Sequence, residues 1–199
     1  MIRLFDILFS LLVLLIFMPL LLLIALLVLI TSRGGILYKQ IRVGKNGKEF
    51  KLLKFRTMYK NADRQGLLTV GKDHRITSVG QVLRKYKLDE LPQFINVLLG
   101  DMSIVGPRPE VPQYVQLYND EQKKVLSVKP GITDYASLVY FDENRQLAQS
   151  SNPEEYYIHH IMPHKLSLSL QYIQKKSFVF DMKIIGFTFL RIIGIHKKI

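Results

Sequence analysis

The chain has 199 residues and a formal net charge of +12, with 28 lysines and arginines against 16 aspartates and glutamates. This length is typical of one main domain with its own core, and the basic excess indicates an anionic partner such as lipid headgroups, nucleic acid or a phosphorylated substrate. The absence of cysteine excludes disulfides, thiol chemistry and cysteine-based zinc sites.

The N-terminal segment predicts a membrane anchor. Residues 7–30 contain no charged side chain, and about 24 residues are enough for a straight helix to cross the hydrocarbon core of a bilayer. The run is too long for a secretory signal peptide, and no small-residue cleavage site follows it. Basic residues flank the run on both sides, which favours the cytoplasm for both of its ends.

Pro19 lies in the middle of this run and should kink a helix, because it cannot donate a backbone hydrogen bond and clashes with the preceding turn. Two anchors are compatible with a kink. One is a spanning helix, and the other is a re-entrant hairpin of two half-helices that enters and leaves on one face. Hydropathy does not separate them.

Two β-prone segments, residues 36–43 and 49–55, flank a turn that contains Asn46-Gly47. An Asn-Gly pair between two such segments predicts a β-hairpin. Residues 61–73 are polar and show little periodicity, which predicts a loop.

The pattern Ser78-Val79-Gly80-Gln81 is typical of a capping box and predicts a helix that runs to about Leu88. Pro92 does not fit inside a helix but suits the first turn of the next one. Asp89 and Glu90 therefore fall at a junction, near the start of a second helix.

The last third of the chain predicts further helices. Residues 106–112 contain three prolines and should be extended. Asn152 should cap a helix that Pro163 interrupts or ends. Residues 177–199 form an apolar run broken by a few charges, which favours a helix in the membrane interface over a helix in the soluble core.

Asp89 and Glu90 are the first candidates for chemistry. Adjacent carboxylates at a helix start more often cap the helix and complement its dipole. Here they lie at a break in the chain, with the cations Arg84, Lys85 and Lys87 just before them. This setting favours a functional interpretation.

Cations that could bind phosphate form the second group of candidates. Arg108 lies between two prolines that fix its backbone, and arginine is suited to two-point recognition of phosphate. Lys54 and Arg56 end the second β-prone segment, where an ordinary charged strand edge is an equally good interpretation. The histidines do not have the spacing of a zinc site, and the sequence contains no glycine-rich phosphate loop.

These residues belong to a series of ordered motifs that covers much of the chain. The motifs are Lys54-Phe55-Arg56-Thr57-Met58, Leu83-Arg84, Leu88-Asp89-Glu90-Leu91-Pro92-Gln93, Asn96-Val97-Leu98, Gly100-Asp101-Met102-Ser103, Val105-Gly106-Pro107-Arg108-Pro109 and Lys129-Pro130-Gly131-Ile132-Thr133. In this order they resemble the bacterial sugar transferase family, the small monotopic phosphoglycosyl transferases. The resemblance extends over nearly the whole chain.

The resemblance implies an α+β fold that is mainly helical. A re-entrant membrane helix hairpin in residues 1–35, broken at Pro19, would precede a compact cytoplasmic catalytic domain in residues 36–199. That domain would contain a small β-hairpin and amphipathic interfacial helices, with residues 177–199 as the last of them. The enzyme would lie in the bacterial inner membrane with its catalytic domain on the cytoplasmic face. Met18 departs from the family, which often has serine there.

The resemblance also implies the reaction. Asp89 would attack the β-phosphorus of a UDP-sugar, release UMP and form an aspartyl phosphosugar, which undecaprenyl phosphate would then accept. Glu90 would bind magnesium. The substrate-binding residues expected around this pair are Arg108, Arg84, Lys54, Arg56 and Pro107.

The expected partners are a UDP-sugar, undecaprenyl phosphate and membrane lipids, without nucleic acid; a homodimer is left open. The sugar cannot be carried over, because the sequence departs from the family at Asp134-Tyr135-Ala136-Ser137 and at Ser169. One alternative is a membrane-anchored basic module that binds lipid or nucleic acid without catalysis. Another is a direct transferase that works in a ternary complex and uses Asp89 only as a metal ligand.

Overall fold

The structure is a computed structural model that describes residues 2–32, 34–62, 66, 68–71, 73–140 and 143–195. Four short strands lie between residues 37 and 133, and helix predominates in the described residues, which confirms the expected α+β class. The strands are β1 (Leu37–Val43), β2 (Glu49–Phe55), β3 (Ser103–Val105) and β4 (Gly131–Thr133). The helices are α1 (Ile2–Ile16), α2 (Met18–Thr31), α3 (Ser78–Lys85), α4 (Gln93–Leu99), α5 (Pro112–Val115), α6 (Asp120–Lys123), α7 (Tyr135–Val139), α8 (Glu143–Ala148), α9 (Pro153–Tyr156), α10 (Met162–Lys175) and α11 (Phe178–Ile192).

The N-terminal apolar segment is a bent pair of helices. α1 and α2 meet at Phe17 with a bend of 65°, and Pro19 lies in the first turn of α2, where its missing N–H would have no helical partner. The break predicted around Pro19 is confirmed. Within the described residues, no single helix has the length and apolar character to cross a bilayer, whereas the bent pair together does.

The predicted hairpin is confirmed, and it lies beside a second, smaller sheet. β1 and β2 pair antiparallel from Leu37↔Phe55 to Val43↔Glu49. β3 and β4 form a parallel pair that the sequence did not predict. A Cβ at Gly131 would lie 2.1 Å from the backbone nitrogen of Gly106, so glycine is required where these two segments cross.

The connection between α3 and α4 is longer than predicted. The side chain of Thr77, rather than Ser78, caps α3 by accepting a hydrogen bond from the backbone N–H of Gly80 at 2.9 Å. α3 also ends short of Leu88. Lys87 then adopts a left-handed conformation with φ of 57°, and a 3₁₀ turn, Leu88–Glu90, leads into α4.

The expectation that Pro163 interrupts or ends its helix is confirmed only as an interruption of the regular α-helical pattern. Asn152 caps α9 as predicted, but the helix continues through a π-helical turn, Tyr157–Ile161, into α10. Pro163 lies in the first turn of α10, directly after the π turn. The wider π turn changes the hydrogen-bond pattern there, so the proline is accommodated without ending the helix.

The anchor is packed against the rest of the chain. Asp6 of α1 is buried, and its carboxylate accepts hydrogen bonds from Ser103 Oγ at 2.7 Å and from the backbone N–H of Ile104 at 3.1 Å. Arg3 donates to the carbonyl oxygens of Val97 and Leu98 at the end of α4, at 2.6 and 3.1 Å. The division into an anchor and a catalytic domain stays a prediction.

The last helix has one packed face and one exposed face. Ile184 of α11 is fully buried, and Asp181 accepts a hydrogen bond from Tyr172 Oη at 2.8 Å. Val179 and Phe189 are exposed. This asymmetry is consistent with an interfacial helix, whose place in a membrane stays a prediction. The predicted end of the helix at residues 196–199 lies outside the described residues, as do residues 63–65, 67 and 72 of the predicted loop.

Candidate active site

The strained turn after α3 presents Asp89 and Glu90 side by side. Lys87 adopts a left-handed backbone, which costs free energy for a residue with a Cβ and is often found at functional sites. Asp89 is 6% exposed, and its Oδ1 atom is buried without a hydrogen-bond partner among the described residues. An unpaired buried carboxylate oxygen is costly, so this atom is poised to gain a partner from a bound ligand.

Glu90 is held between two cations. Its Oε1 atom lies 2.9 Å from Lys54 Nζ and 3.1 Å from Arg108 Nη2, and its side chain is 11% exposed. No described residue donates a hydrogen bond to Oε2. One oxygen therefore fixes the carboxylate, and the other is left for a ligand.

The two carboxyl groups have opposite electrostatic settings. Burial, with a further contribution from Glu90, raises the pKa of Asp89 above its usual range, although Lys54 and Arg84 act against the rise. Burial would also raise the pKa of Glu90, but Lys54 and Arg108 outweigh it and hold that pKa well below its usual range. Glu90 in turn raises the pKa of Arg108. Glu90 is thus firmly ionised, whereas Asp89 ionises at higher pH.

Three different elements deliver the cations. β2 carries Lys54, the segment after β3 carries Arg108, and α3 carries Arg84, which donates hydrogen bonds to Thr57 Oγ1 and Thr69 Oγ1 at 2.9 and 3.0 Å. These bonds tie α3 to the end of β2 and to the following loop.

Arg56 and Pro107 play a different part from the other expected residues. Arg56 lines the same cleft, but its guanidinium donates to the carbonyl oxygens of Gly35 and Leu37, at 3.1 and 3.3 Å. Pro107 is buried and lines neither of the cavities described below; its carbonyl oxygen accepts a hydrogen bond from Gly131 N at 3.0 Å. Both residues therefore fix backbone around the site.

The site also contains Arg42, which sequence analysis did not assign to it. Its Nη1 atom donates to Glu110 Oε1 at 3.0 Å and to the Pro109 carbonyl oxygen at 2.9 Å. The register of the hairpin would have been needed to predict the position of Arg42. Tyr38 pairs with Lys54, so alternate β1 residues up to Arg42 share the face of Lys54.

Two cavities meet at these charges. The first, here called the cationic cleft, has a volume of about 580 Å³ and contains Asp89, Glu90, Lys54, Arg84 and Arg108 in its wall. Part of the predicted loop forms its rim, through the described residues 61, 62, 66 and 69.

The second cavity, of about 710 Å³, has two kinds of wall. Its apolar half is formed by residues of α1, the α4 region and α11, including Phe9, Phe94, Ile185 and Phe189. Its polar half is formed by Ser137, Tyr140, Glu143, Tyr157 and Lys165. Arg42, Thr69, Lys87, Glu90 and Arg108 line both this cavity and the cationic cleft.

The donor set suits a magnesium ion that shares its coordination with a ligand. The described residues contain no group of three or more histidines and carboxylates that could hold a metal alone. Magnesium in phosphate sites takes one or two protein carboxylates and fills its remaining positions with phosphate oxygens and water. The free Oε2 of Glu90 fits such a role.

The arrangement combines an available carboxylate with a group of cations in a partly closed cleft. A carboxylate can act as a nucleophile at phosphorus where neighbouring positive charge neutralises the phosphate. Phosphoryl transfer depends chiefly on positioning and on charge stabilisation, which fixed lysine and arginine side chains supply.

Named proteins resemble the chain over long stretches. It is 41% identical over 139 residues to the UDP-N-acetylgalactosamine-undecaprenyl-phosphate N-acetylgalactosaminephosphotransferase of Aeromonas hydrophila, covering 68% of the chain and 33% of that protein. It is 41% identical over 167 residues to the exopolysaccharide production protein ExoY of Sinorhizobium fredii, covering 70% and 74%. It is 37% identical over 191 residues to the UDP-glucose:undecaprenyl-phosphate glucose-1-phosphate transferase of Escherichia coli, covering 92% and 38%.

The chain thus spans well under half the length of the two named transferases, and about three quarters of ExoY. The model of the bacterial sugar transferase family matches residues 1–194, which is almost all of the chain. The chain therefore belongs to the bacterial sugar transferase family.

Proposed function

We propose that this chain is a phosphoglycosyl transferase. It moves a sugar 1-phosphate from a UDP-sugar to undecaprenyl phosphate, through a covalent bond between the phosphosugar and Asp89. The observation that carries the proposal is the buried, unpartnered Oδ1 of Asp89 beside Glu90, which Lys54 and Arg108 hold. The expected binding module without catalysis would leave this arrangement and the family match unexplained.

The donor diphosphate binds in the cationic cleft. Lys54, Arg84 and Arg108 converge there from separate elements, so they contact the two phosphates from different sides. The cleft is also large enough for a ligand of nucleotide size. When bound, a magnesium ion held by Glu90 would neutralise part of the negative charge on the diphosphate.

In the first step, Asp89 attacks the β-phosphorus. An Asp89–phosphorus bond forms as the bond from phosphorus to the bridging oxygen breaks, and UMP leaves with that oxygen and its electron pair. Asp89 must be ionised to attack, and Lys54 and Arg84 favour its ionised form. Arg108 stabilises the charge that develops on the transferred phosphoryl group.

In the second step, a phosphate oxygen of undecaprenyl phosphate attacks the same phosphorus. The bond to Asp89 breaks, the free carboxylate is restored, and a polyprenyl diphosphate sugar forms. The apolar half of the second cavity suits the first isoprene units of the acceptor, because its wall is built from α1, the α4 region and α11 and reaches Glu90 and Arg108.

The proposed setting is the bacterial inner membrane. Residues 1–35 form a re-entrant anchor, and residues 36–199 form a catalytic domain on the cytoplasmic face, where UDP-sugars are made. The bend of 65° between α1 and α2, together with basic residues on both sides of the pair, supports this arrangement. The reaction would begin the assembly of a bacterial glycan on its lipid carrier.

A trapping experiment tests the covalent step. The purified protein is mixed with UDP-sugars labelled in the sugar, without acceptor, and UMP and protein-bound label are measured. We expect up to one equivalent of each per protein, followed by loss of the label when undecaprenyl phosphate is added. Turnover with acceptor but neither UMP nor label without it would show direct transfer in a ternary complex and would overturn the covalent route.

A further inference from the structure

We propose that the polar half of the second cavity binds the sugar ring of the donor and that Glu143 selects among sugars there. This polar pocket is defined by Ser137, Tyr140, Glu143, Tyr157 and Lys165. The inference rests on the proposed function, because it names the part of the donor that this half of the cavity recognises.

The polar pocket holds a fixed pair of charges. Lys165 Nζ lies 2.8 Å from Glu143 Oε2, and the two side chains are 11% and 27% exposed. Lys165 also lies over the ring of Tyr157, with 5.7 Å between its Nζ atom and the ring centroid. These contacts restrict the rotamers of both charged groups, so Glu143 presents its other oxygen with little freedom to lose.

The chemistry of this pocket matches a sugar. Adjacent hydroxyl groups of a hexose donate hydrogen bonds to a carboxylate and accept them from an ammonium group, and the apolar face of the ring packs on an aromatic side chain. Glu143, Lys165 and Tyr140 supply these three features within one cavity. An isoprenoid chain cannot form hydrogen bonds with the charged pair, which argues against the acceptor lipid as the ligand of this pocket.

The position of the pocket fits the order of the two steps. The sugar phosphate stays bound while UMP leaves and the acceptor arrives, so the sugar must lie beside the phosphate site but outside both paths. The cavity that contains the polar pocket shares Glu90 and Arg108 with the cationic cleft, so the pocket adjoins the proposed phosphate site.

Ser137 is held at the edge of the pocket by the start of α7. Asp134 is buried and caps α7 by accepting a hydrogen bond from the backbone N–H of Ser137 at 2.8 Å. The Ser137 hydroxyl donates to the other oxygen of Asp134. Because the hydroxyl proton is used in this bond, the Ser137 oxygen is left as an acceptor for a ligand in the cavity that Ser137 lines.

The test compares donors rather than rates. Initial UMP release is measured with UDP-glucose, UDP-galactose, UDP-N-acetylglucosamine and UDP-N-acetylgalactosamine for wild type and Glu143→Gln, together with inhibition by UMP. We expect the ratio of kcat/KM between the best and second-best donors to change at least about tenfold. Inhibition by UMP should stay within about twofold, because the nucleotide lies in the cationic cleft.

Glu121→Gln is the matched control, since Glu121 also pairs with a lysine but on the exposed surface. It should leave the donor ratios unchanged. If Glu143→Gln lowers kcat/KM equally for all donors, the pair is only structural and the inference is overturned. If that variant does not fold, Ser137→Ala takes its place under the same criteria.

The two proposals fail in different ways. No UMP release by wild type with any donor would overturn the proposed function. Turnover by wild type with donor ratios that Glu143→Gln leaves unchanged would overturn the sugar pocket alone.

Discussion

The cationic cleft and the apolar half of the second cavity differ in what holds them in shape. The cleft is fixed by ion pairs and hydrogen bonds, such as those of Glu90 with Lys54 and Arg108. The apolar half is fixed by packing among α1, the α4 region and α11. In the proposed reaction, a charged, soluble donor and a lipid acceptor would approach one phosphate site from these two cavities, which share Glu90 and Arg108.

The largest expected effect comes from removing the nucleophile in the cleft. Asp89→Asn should lower UMP release by at least about a thousandfold and abolish protein-bound label, because an amide does not form the covalent intermediate. Asp120→Asn, at a fully exposed site, serves as the control. A variant at position 89 that keeps a tenth of the wild-type rate would refute the assignment.

Glu90→Gln should lower kcat by about a hundredfold, since Lys54 and Arg108 lose their anionic partner and the proposed magnesium ligand is weakened. The concentration of magnesium needed for half-maximal activity should also rise. Steady-state rates over a magnesium titration measure both effects. If the rate falls but the magnesium concentration for half-maximal activity is unchanged, Glu90 has a positioning role and is not a metal ligand.

Substitutions in the apolar half of the second cavity should affect only the second step, the transfer to the lipid acceptor. Phe189→Ser should raise the KM for undecaprenyl phosphate by about tenfold, because apolar contact with the isoprenoid is lost. The burst of UMP without acceptor should be unchanged. Val179→Ser controls for a general loss of membrane affinity, since Val179 is equally exposed on α11 but does not line the cavity. Equal effects of both variants would argue against a specific acceptor wall.

The smallest expected effect is a shift in pH dependence. Because burial raises the pKa of Asp89, activity should fall on the acid side at a pH above the usual carboxylate range. Lys54 lowers the pKa of both carboxyl groups, so Lys54→Met should move this acid limb to still higher pH. A profile of kcat/KM against pH for wild type and Lys54→Met measures the position of the acid limb. A limb that stays in place or moves to lower pH would show that neither carboxyl group controls it.

Local signals in the sequence predicted much of the fold. The Asn46-Gly47 pair marks the hairpin, Pro19 marks the bend between α1 and α2, and Asn152 marks the start of α9. Each of these depends on backbone preferences of residues close together in the chain, which a sequence displays directly.

Features that depend on distant residues were not predictable in the same way. β3 and β4 have three residues each, which is too short for a periodic pattern. They pair because the fold brings residues 131–133 alongside residues 103–105. The π turn directly before Pro163, which lets the helix continue, was not predicted because such a turn has no local sequence signature.

The candidate site likewise contains residues that local motifs predicted and residues whose positions depend on distant parts of the chain. The motif around Asp89 and Glu90 indicated the carboxylates, and the structure brings Lys54, Arg84 and Arg108 to them from distant segments. Arg42 was not predicted as a site residue, because its position depends on the register of the hairpin and on its ion pair with Glu110. The roles of these residues in catalysis stay predictions for the experiments above.

The hydrogen bonds of Asp6 connect α1 to the strand beside the candidate site. Its carboxylate holds Ser103 and Ile104 of β3, the strand that leads directly to Arg108. If α1 lies in a bilayer, as proposed above, a change in bilayer thickness or tension that tilts α1 would pull on the strand that leads to Arg108. Removing the Asp6 carboxylate while α1 stays in place, as in Asp6→Ala, would leave these buried donors unpaired, at about 1–3 kcal/mol each. The packing of α1 is in this sense part of the scaffold of the candidate site.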